Sequence, residues 1–132
     1  MISFAEFVLR YLDEWNFEAR FLAEDLYITH GSMDAWIYRG RIPSDESIKV
    51  IQEYFGADFE NVVFDGKAFR RKFKITRPDG SSKVYDTVDE LSKVEWVSKN
   101  TIKKYCRNGE AVIKGRNKGC QFQYVYEEEE VE

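Results

Sequence analysis

The sequence is poor in the residues on which most metal and covalent chemistry depends. Its 132 residues include 2 cysteines and 1 histidine. Cys106 and Cys120 are too few for a disulfide scaffold and lack metal-ligand spacing, and one histidine cannot supply a His-rich site. The sequence also has no glycine-rich phosphate loop of Walker or Rossmann form. We therefore expect no catalytic residues, no bound metal and no cofactor, and so a protein that is not an enzyme.

Long apolar runs are missing as well. No segment approaches the ~20 apolar residues that a membrane span needs, and Met1–Glu6 lacks the basic start and apolar stretch of a signal peptide. These absences predict a cytoplasmic protein with no membrane contact. What the chain does have is 43% hydrophobic residues, with aromatics at 16%. That content fills one ordinary core or two very small ones.

The charges are segregated along the chain. Residues 1–65 carry 13 Asp/Glu against 5 Lys/Arg, residues 66–120 carry 15 Lys/Arg against 6 Asp/Glu, and residues 121–132 add five Glu and no base. A basic block of this kind is typical of proteins that bind polyanions. Together with the periodicity below, it predicts an acidic helical domain over 1–65, a basic module over 66–126 and an acidic tail over 127–132.

The acidic part is predicted to form four short helices. Ser3 and Glu6 have the spacing of a capping box before the first, Asn16 is expected to cap the second, and Ser44 the fourth. The third helix is predicted over about 32–38. Its phasing places Met33, Trp36 and Ile37 inward and Gly31, Asp34, Ala35 and Tyr38 outward.

Several core and turn residues of this part form a familiar pattern: Leu22-Ala23, Leu26, Ile28, Met33, Trp36, Gly40 and Pro43, followed by Ile48, Ile51 and Phe55. Residues 4–60 thereby resemble the Cro/C1-type (XRE-like) helix-turn-helix domains of phage and bacterial repressors. The resemblance implies that the third helix enters the major groove of DNA.

The outward face of that third helix, however, holds one acid and no base. Two interpretations of this half therefore stay open: contact with DNA through the rim of the domain, or dimerisation or binding of a protein partner. The residues available for either role are Arg20, His30, Ser32, Asp34, Tyr38, Arg39 and Arg41.

The basic part begins with a predicted β-hairpin. Apolar and basic residues alternate over 69–75, Arg77-Pro78-Asp79-Gly80 is a strong turn signal, and the chain returns over 83–85. Its outward face would carry Arg70, Lys72 and Lys74. Thr87 should then cap a helix with Val88, Leu91 and Val94 inward, and Ser98 should cap the next.

The helix after Ser98 has a basic outer face. Ile102, Tyr105 and Cys106 share one side, while Asn100, Lys103, Lys104 and Arg107 lie opposite. Amide and cationic side chains on one exposed face suit base edges and phosphates. The flexible segment 114–119 adds three further cations. The complete predicted DNA-binding set is Lys99, Asn100, Thr101, Lys103, Lys104, Arg107, Lys114, Arg116, Lys118, Arg70, Lys72 and Lys74.

Residues 68–126 also resemble a family, the DNA-binding repeat modules of phage homing endonucleases, including the intron-encoded nuclease repeat motif. The matching residues are Ile75, Pro78-Asp79-Gly80, Tyr85, Thr87, Glu90-Leu91, Val97-Ser98, Thr101-Ile102, Tyr105, Asn108-Gly109, Lys114-Gly115, Gly119-Cys120 and Phe122. The resemblance implies that Asn100, Lys103, Lys104 and Arg107 grip DNA. The nuclease part of such proteins is missing from this sequence.

The predicted fold class is α+β: a helical bundle with a helix-turn-helix, then a hairpin and a second helix-turn-helix closed by a C-terminal strand. The predicted function is sequence-specific DNA binding by a phage or mobile-element transcriptional regulator such as a repressor, in the cytoplasm of a bacterial host. A homodimer would read half-sites about one helical turn apart. The alternative is a protein-binding inhibitor on the same scaffold, such as a phage anti-defence, anti-CRISPR or antirepressor protein.

Overall fold

The computed structural model describes residues 1–130 and has the predicted α+β class. Among these residues, no helix is both long and apolar enough to cross a bilayer. The elements in chain order are β1 (Ile2–Ser3), α1 (Phe4–Glu14), α2 (Ala19–Asp25), α3 (His30–Tyr38), α4 (Asp45–Phe55), a 3-10 turn (Gly56–Phe59), β2 (Val62–Val63), β3 (Ala68–Thr76), β4 (Ser82–Tyr85), α5 (Val88–Glu95), α6 (Lys99–Asn108) and β5 (Gln121–Glu129).

The chain divides into two compact units. The first consists of Met1–Arg70 and the residues from Glu128 onward, and the second of Arg71–Glu127. The division therefore falls after Arg70, whereas the sequence pattern predicts a boundary after residue 65. We call these the first unit and the second unit.

The first unit is built around the apolar stripe of α1. Phe4, Val8 and Leu12 recur every fourth residue along one side of the helix, and all three are buried. Aromatic rings surround this stripe: the ring centroids of Phe7 and Phe55 lie 5.0 Å apart in an edge-on arrangement. A short parallel pairing of β1 with β2, which the sequence did not predict, joins the start of the unit to residue 63.

Two predicted caps in the first unit do not form. Ser3 precedes α1, but its hydroxyl donates to Asp65 Oδ1 at 2.7 Å instead of accepting from the helix. Asn16 adopts a positive φ of 51°, and α2 begins only after Glu18. The Ser3 prediction is wrong because a distant residue, Asp65, takes its hydroxyl, and the Asn16 prediction is wrong because the chain turns at Asn16 before the helix begins.

The third helix also differs in its limits and its buried face. It begins at His30 and not near residue 32, because the Thr29 side chain accepts a hydrogen bond from the Ser32 N–H and caps it. Ala35, predicted to face outward, is 5% exposed and belongs to the core. Asp34 and Tyr38 keep the outward placement.

The second unit begins with the predicted hairpin. β3 and β4 pair antiparallel with Phe73 opposite Tyr85 and Thr76 opposite Ser82, and β5 lies on the other side of β3. Gly80 adopts a φ of 88° in the turn, a conformation that glycine takes without strain. The core of the unit is formed by Phe73, Ile75, Tyr85, Leu91, Ile102, Val112, Cys120 and Phe122.

Both predicted caps in the second unit are confirmed. The Thr87 hydroxyl accepts from the Glu90 N–H at 3.1 Å, and the Ser98 hydroxyl accepts from the Thr101 N–H at 3.2 Å. Leu91 is fully buried, but Val94, predicted inward, is 51% exposed. The reason is that α5 ends one residue later, so Val94 lies on its last turn, beyond the core.

The final strand is longer than predicted. β5 continues to Glu129, so Glu127, Glu128 and Glu129 lie in a strand and not in the predicted solvated tail over 127–132. Each of the three pairs with a cation: Lys72, Lys67 and Arg70, respectively. The last two residues of the predicted tail lie outside the described residues.

Candidate functional site

The site is centred on α6, which begins and ends at well-defined caps. Ser98 closes its first turn, and Gly109 ends it in the left-handed conformation with φ 70°. The inner face follows the predicted phasing, because Ile102 is fully buried while Tyr105 and Cys106 pack against the core from its edge. Asn100, Lys104 and Arg107 are exposed on the opposite face, and Lys103 is half-buried.

The outer face of α6 carries three cations, and one of them, Lys103, adds to the effect of Lys99 in lowering the pKa of Asp89. Within residues 1–130, no carboxylate lies within ion-pairing distance of Lys103, Lys104 or Arg107. The Lys104 Nζ lies 5.8 Å from the centroid of the Tyr105 ring, within the range of a cation–π contact. We refer to Asn100, Lys103, Lys104 and Arg107 as the α6 basic face.

Two of the predicted contact residues on α6 have other partners. Lys99 forms an exposed ion pair with Asp89, whose pKa this contact lowers below its usual value. Thr101 serves the cap: its N–H donates to Ser98 Oγ, and its hydroxyl oxygen lies 2.7 Å from the same atom. Thr101 is therefore a structural residue of the helix start and not a free contact residue.

The predicted basic loop closes on itself beside the end of α5. Backbone hydrogen bonds from Val112 N–H to Cys120 O at 2.9 Å and from Gly119 N–H to Val112 O at 2.7 Å hold its two ends together. Gly115 and Gly119 turn the chain with φ of 86° and 85°. Lys114, Arg116 and Lys118 are exposed along it, without carboxylate partners among the described residues. We call residues 112–120 the basic loop.

Glu95 connects the hairpin and the basic loop, a role that the sequence pattern did not indicate. Its carboxylate accepts two hydrogen bonds from Arg77 Nη2, at 2.9 and 2.8 Å, and one from Tyr85 Oη at 2.8 Å. Its backbone oxygen accepts from Asn117 Nδ2 at 3.2 Å. Hydrogen bonding to Glu95 raises the pKa of Arg77. The pKa of Tyr85 is also raised, mainly by burial and to a lesser degree by its hydrogen bond to Glu95.

The predicted row of cations on the hairpin is largely neutralised. Lys72 Nζ lies 2.6 Å from Glu127 Oε2 and 3.5 Å from Asp86 Oδ1, and the hydrogen bond to Glu127 raises the pKa of Lys72. Arg70 Nε lies 3.3 Å from Glu129 Oε1. Lys74 is half-buried. The acidic end of the chain thus compensates Lys72 and Arg70, which are paired with glutamates of β5.

The candidate residues of the first unit form local contacts instead of one surface. Arg20 pairs with Glu18 at 2.7 Å and lies over the Phe21 ring, while His30 Nε2 lies 3.4 Å from Asp34 Oδ1. Ser32 completes the Thr29 cap. Arg70 lies over the Tyr38 ring, with its guanidinium carbon 5.9 Å from the ring centroid. Two exposed arginines, Arg39 and Arg41, have no ion pair in the described part of the chain.

Comparison with known proteins adds no family assignment. Neither the known protein-family models, nor the curated proteins, nor the solved structures include a match to this chain. Within the part of the chain that the structure describes, no three metal-ligating side chains come together.

Proposed function

We propose that this protein binds double-stranded DNA through the α6 basic face and acts as a sequence-specific transcriptional regulator. The proposal rests on the ion pairing of that face: within residues 1–130, no carboxylate lies within ion-pairing distance of Lys103, Lys104 or Arg107. Elsewhere in the chain, cations such as Lys72 and Arg70 are matched with glutamates. Binding to phosphates supplies the missing counterions.

The side-chain types on this face fit recognition as well as attraction. An exposed Asn100 can form paired hydrogen bonds with adenine, and Arg107 can do the same with guanine, whereas the two lysines supply phosphate contacts. The helix is capped at its first turn by Ser98 and fixed by the buried Ile102, so these side chains start from a rigid support. Rigid placement lowers the entropy lost on binding.

The test uses the full chain and a fluorescent duplex of mixed sequence, about 30 base pairs long, in anisotropy titrations at several salt concentrations. We expect binding whose logarithmic salt slope falls in magnitude by about 0.9 for each phosphate contact removed. Lys103→Ala with Lys104→Ala should therefore flatten the slope by about two. Selection from a random duplex pool then tests sequence specificity.

The matched control removes two exposed lysines from elsewhere in the second unit. Lys83→Ala with Lys93→Ala changes the net charge by the same amount, but Lys83 lies on β4 and Lys93 on α5. The control should leave the slope within about half a unit of the starting protein. Equal losses in the two variants would show that net charge, and not the α6 basic face, governs binding.

A second candidate is the protein-binding inhibitor, which the first unit favours. Its outer α3 face presents the His30–Asp34 pair, and nearby Tyr27 is almost fully exposed. An acidic surface with exposed aromatic residues suits a protein partner better than a phosphate lattice. Absence of duplex binding even at about 20 mM salt, where such contacts are strongest, would support this candidate against the regulator.

A further inference from the structure

Trp96 stands out because folding of the second unit does not require an indole at its position. It adopts φ 56° and ψ 50° at the end of α5, in the left-handed region that is unfavourable for bulky residues and natural for glycine. Its side chain is 73% exposed and takes no part in the core described for residues 71–127. Neither the backbone nor the packing explains the residue.

One cation of the basic loop, Arg116, lies against this exposed ring. The guanidinium carbon of Arg116 lies 5.8 Å from the indole centroid, within the range of a cation–π contact. Arg116 also lines an open cleft of about 380 Å³ together with Lys118, and Glu95 is the acidic residue of that lining. A flat apolar ring next to unpaired cations is complementary to the sugars, bases and phosphates of a nucleic acid.

The position of Trp96 and Arg116 is held by a framework of hydrogen bonds. Asn117 Nδ2 donates to the backbone oxygen of Glu95, the residue before Trp96, and fixes the basic loop against the end of α5. The Glu95 carboxylate is itself occupied by Arg77 and Tyr85. Because Glu95 is already satisfied, the nearby Arg116 is left for an external anion.

We infer that Trp96 contacts bound nucleic acid directly, with its indole packed on a sugar or base face and Arg116 paired with an adjacent phosphate. Trp96 lies two residues before Ser98, so this contact would flank the start of α6. The inference rests on the proposed function and extends it to a second contact surface formed by Trp96, Arg116 and Lys118. No motif in the sequence singled out Trp96 for this role.

The test follows tryptophan fluorescence and duplex anisotropy in the same titration of the full chain. Stacking or close packing against nucleic acid should quench Trp96 as the duplex saturates. Trp96→Phe keeps an aromatic ring but should abolish most of the quenching, and it should weaken binding about 5- to 10-fold. Trp15→Phe is the matched control, because Trp15 also follows a helix and is 68% exposed but lies in the first unit. It should lower the starting emission but leave the anisotropy titration and the absolute loss of emission on binding unchanged.

A second pair of variants separates the charge of Arg116 from its position. Arg116→Gln should lower the magnitude of the salt slope by about 0.9, and Arg116→Lys should restore it. Saturable binding with the same quenching in Trp96→Phe as in the starting protein would overturn the inference while leaving the proposed function intact. Absence of anisotropy change at low salt would overturn both.

Discussion

The molecule contains two helix pairs whose connecting turns are built alike. We call α2 with α3 the first helix pair and α5 with α6 the second helix pair. In each turn an exposed aromatic residue, Tyr27 or Trp96, has a positive φ, and a hydroxyl residue follows two positions later. Thr29 and Ser98 then cap the next helix through the N–H three residues on, at 3.1 and 3.2 Å. The two turns therefore share the same backbone geometry and the same type of cap.

The outer faces of the second helices in these pairs differ in charge. On α3, His30 and Asp34 are paired, and no base follows within the helix. On α6, Lys103, Lys104 and Arg107 lack carboxylate partners within residues 1–130. Turn geometry thus sets where each helix starts, whereas its exposed side chains decide what it can bind.

Removing a buried leucine from either helix pair should have the largest effect on stability. Leu22 in α2 and Leu91 in α5 are both fully buried, so Leu22→Ala and Leu91→Ala should each cost about 2–5 kcal/mol in urea unfolding. At temperatures where both variants stay folded, only Leu91→Ala should weaken duplex binding, because it loosens the support of α6. Equal binding losses would break the functional contrast between the pairs.

Reversing the charge of the α6 basic face should nearly abolish nucleic-acid binding. Lys103→Glu, Lys104→Glu and Arg107→Glu together replace the two proposed phosphate contacts and the proposed base contact with repulsion, and we expect a loss of about 100-fold or more at low salt. Arg39→Glu with Arg41→Glu, at the end of the first helix pair, should change affinity less than about threefold by the same anisotropy titration. A larger loss in this control would place the main contact in the first unit.

The two caps should contribute equally. Thr29→Ala and Ser98→Ala each remove one side-chain acceptor from the first turn of a helix, at a cost of about 1 kcal/mol in the free energy of unfolding. Denaturant titration of both variants measures this cost. A difference of more than about 1 kcal/mol would contradict the structural equivalence of the two turns.

Glycine in the turns should give the smallest change, and one of opposite sign. Tyr27 is 94% exposed in the left-handed region, so Tyr27→Gly relieves backbone strain and should stabilise the protein by about 0.5–1 kcal/mol. Trp96→Gly should give a similar thermal stabilisation together with weaker duplex binding. If Trp96→Gly instead destabilises the protein markedly, the indole has a structural role and the contrast with Tyr27 fails.

The sequence predicted those features that depend on neighbouring residues. Thr87, Ser44 and Ser98 were recognised as caps because a hydroxyl residue before an apolar-periodic segment is sufficient local information. The inward position of Ile102 followed from helical spacing in the same way. The α+β fold class and the β3–β4 hairpin were predictable because both arise from short-range periodicity and a turn motif.

The features that escaped prediction depend on contacts between distant residues. Ser3 donates to Asp65, which no four-residue motif can anticipate. The pairing of Glu127 with Lys72, and the anchoring of Asn117 on Glu95, likewise join residues that are far apart in sequence. Consequently the sequence pattern predicts more unpaired positive charge on the hairpin than the structure has. It also gives no sign that Trp96 is exposed beside Arg116.

Amide chemical shifts of the isotope-labelled full chain, followed during titration with a mixed-sequence duplex, distinguish binding at α6 from binding at α3. We expect the largest perturbations at Asn100, Lys103, Lys104 and Arg107, with a second group at Trp96 and the basic loop, and little change along α3. Perturbations concentrated on α3, or a titration that leaves α6 unchanged while the duplex binds, would contradict the account.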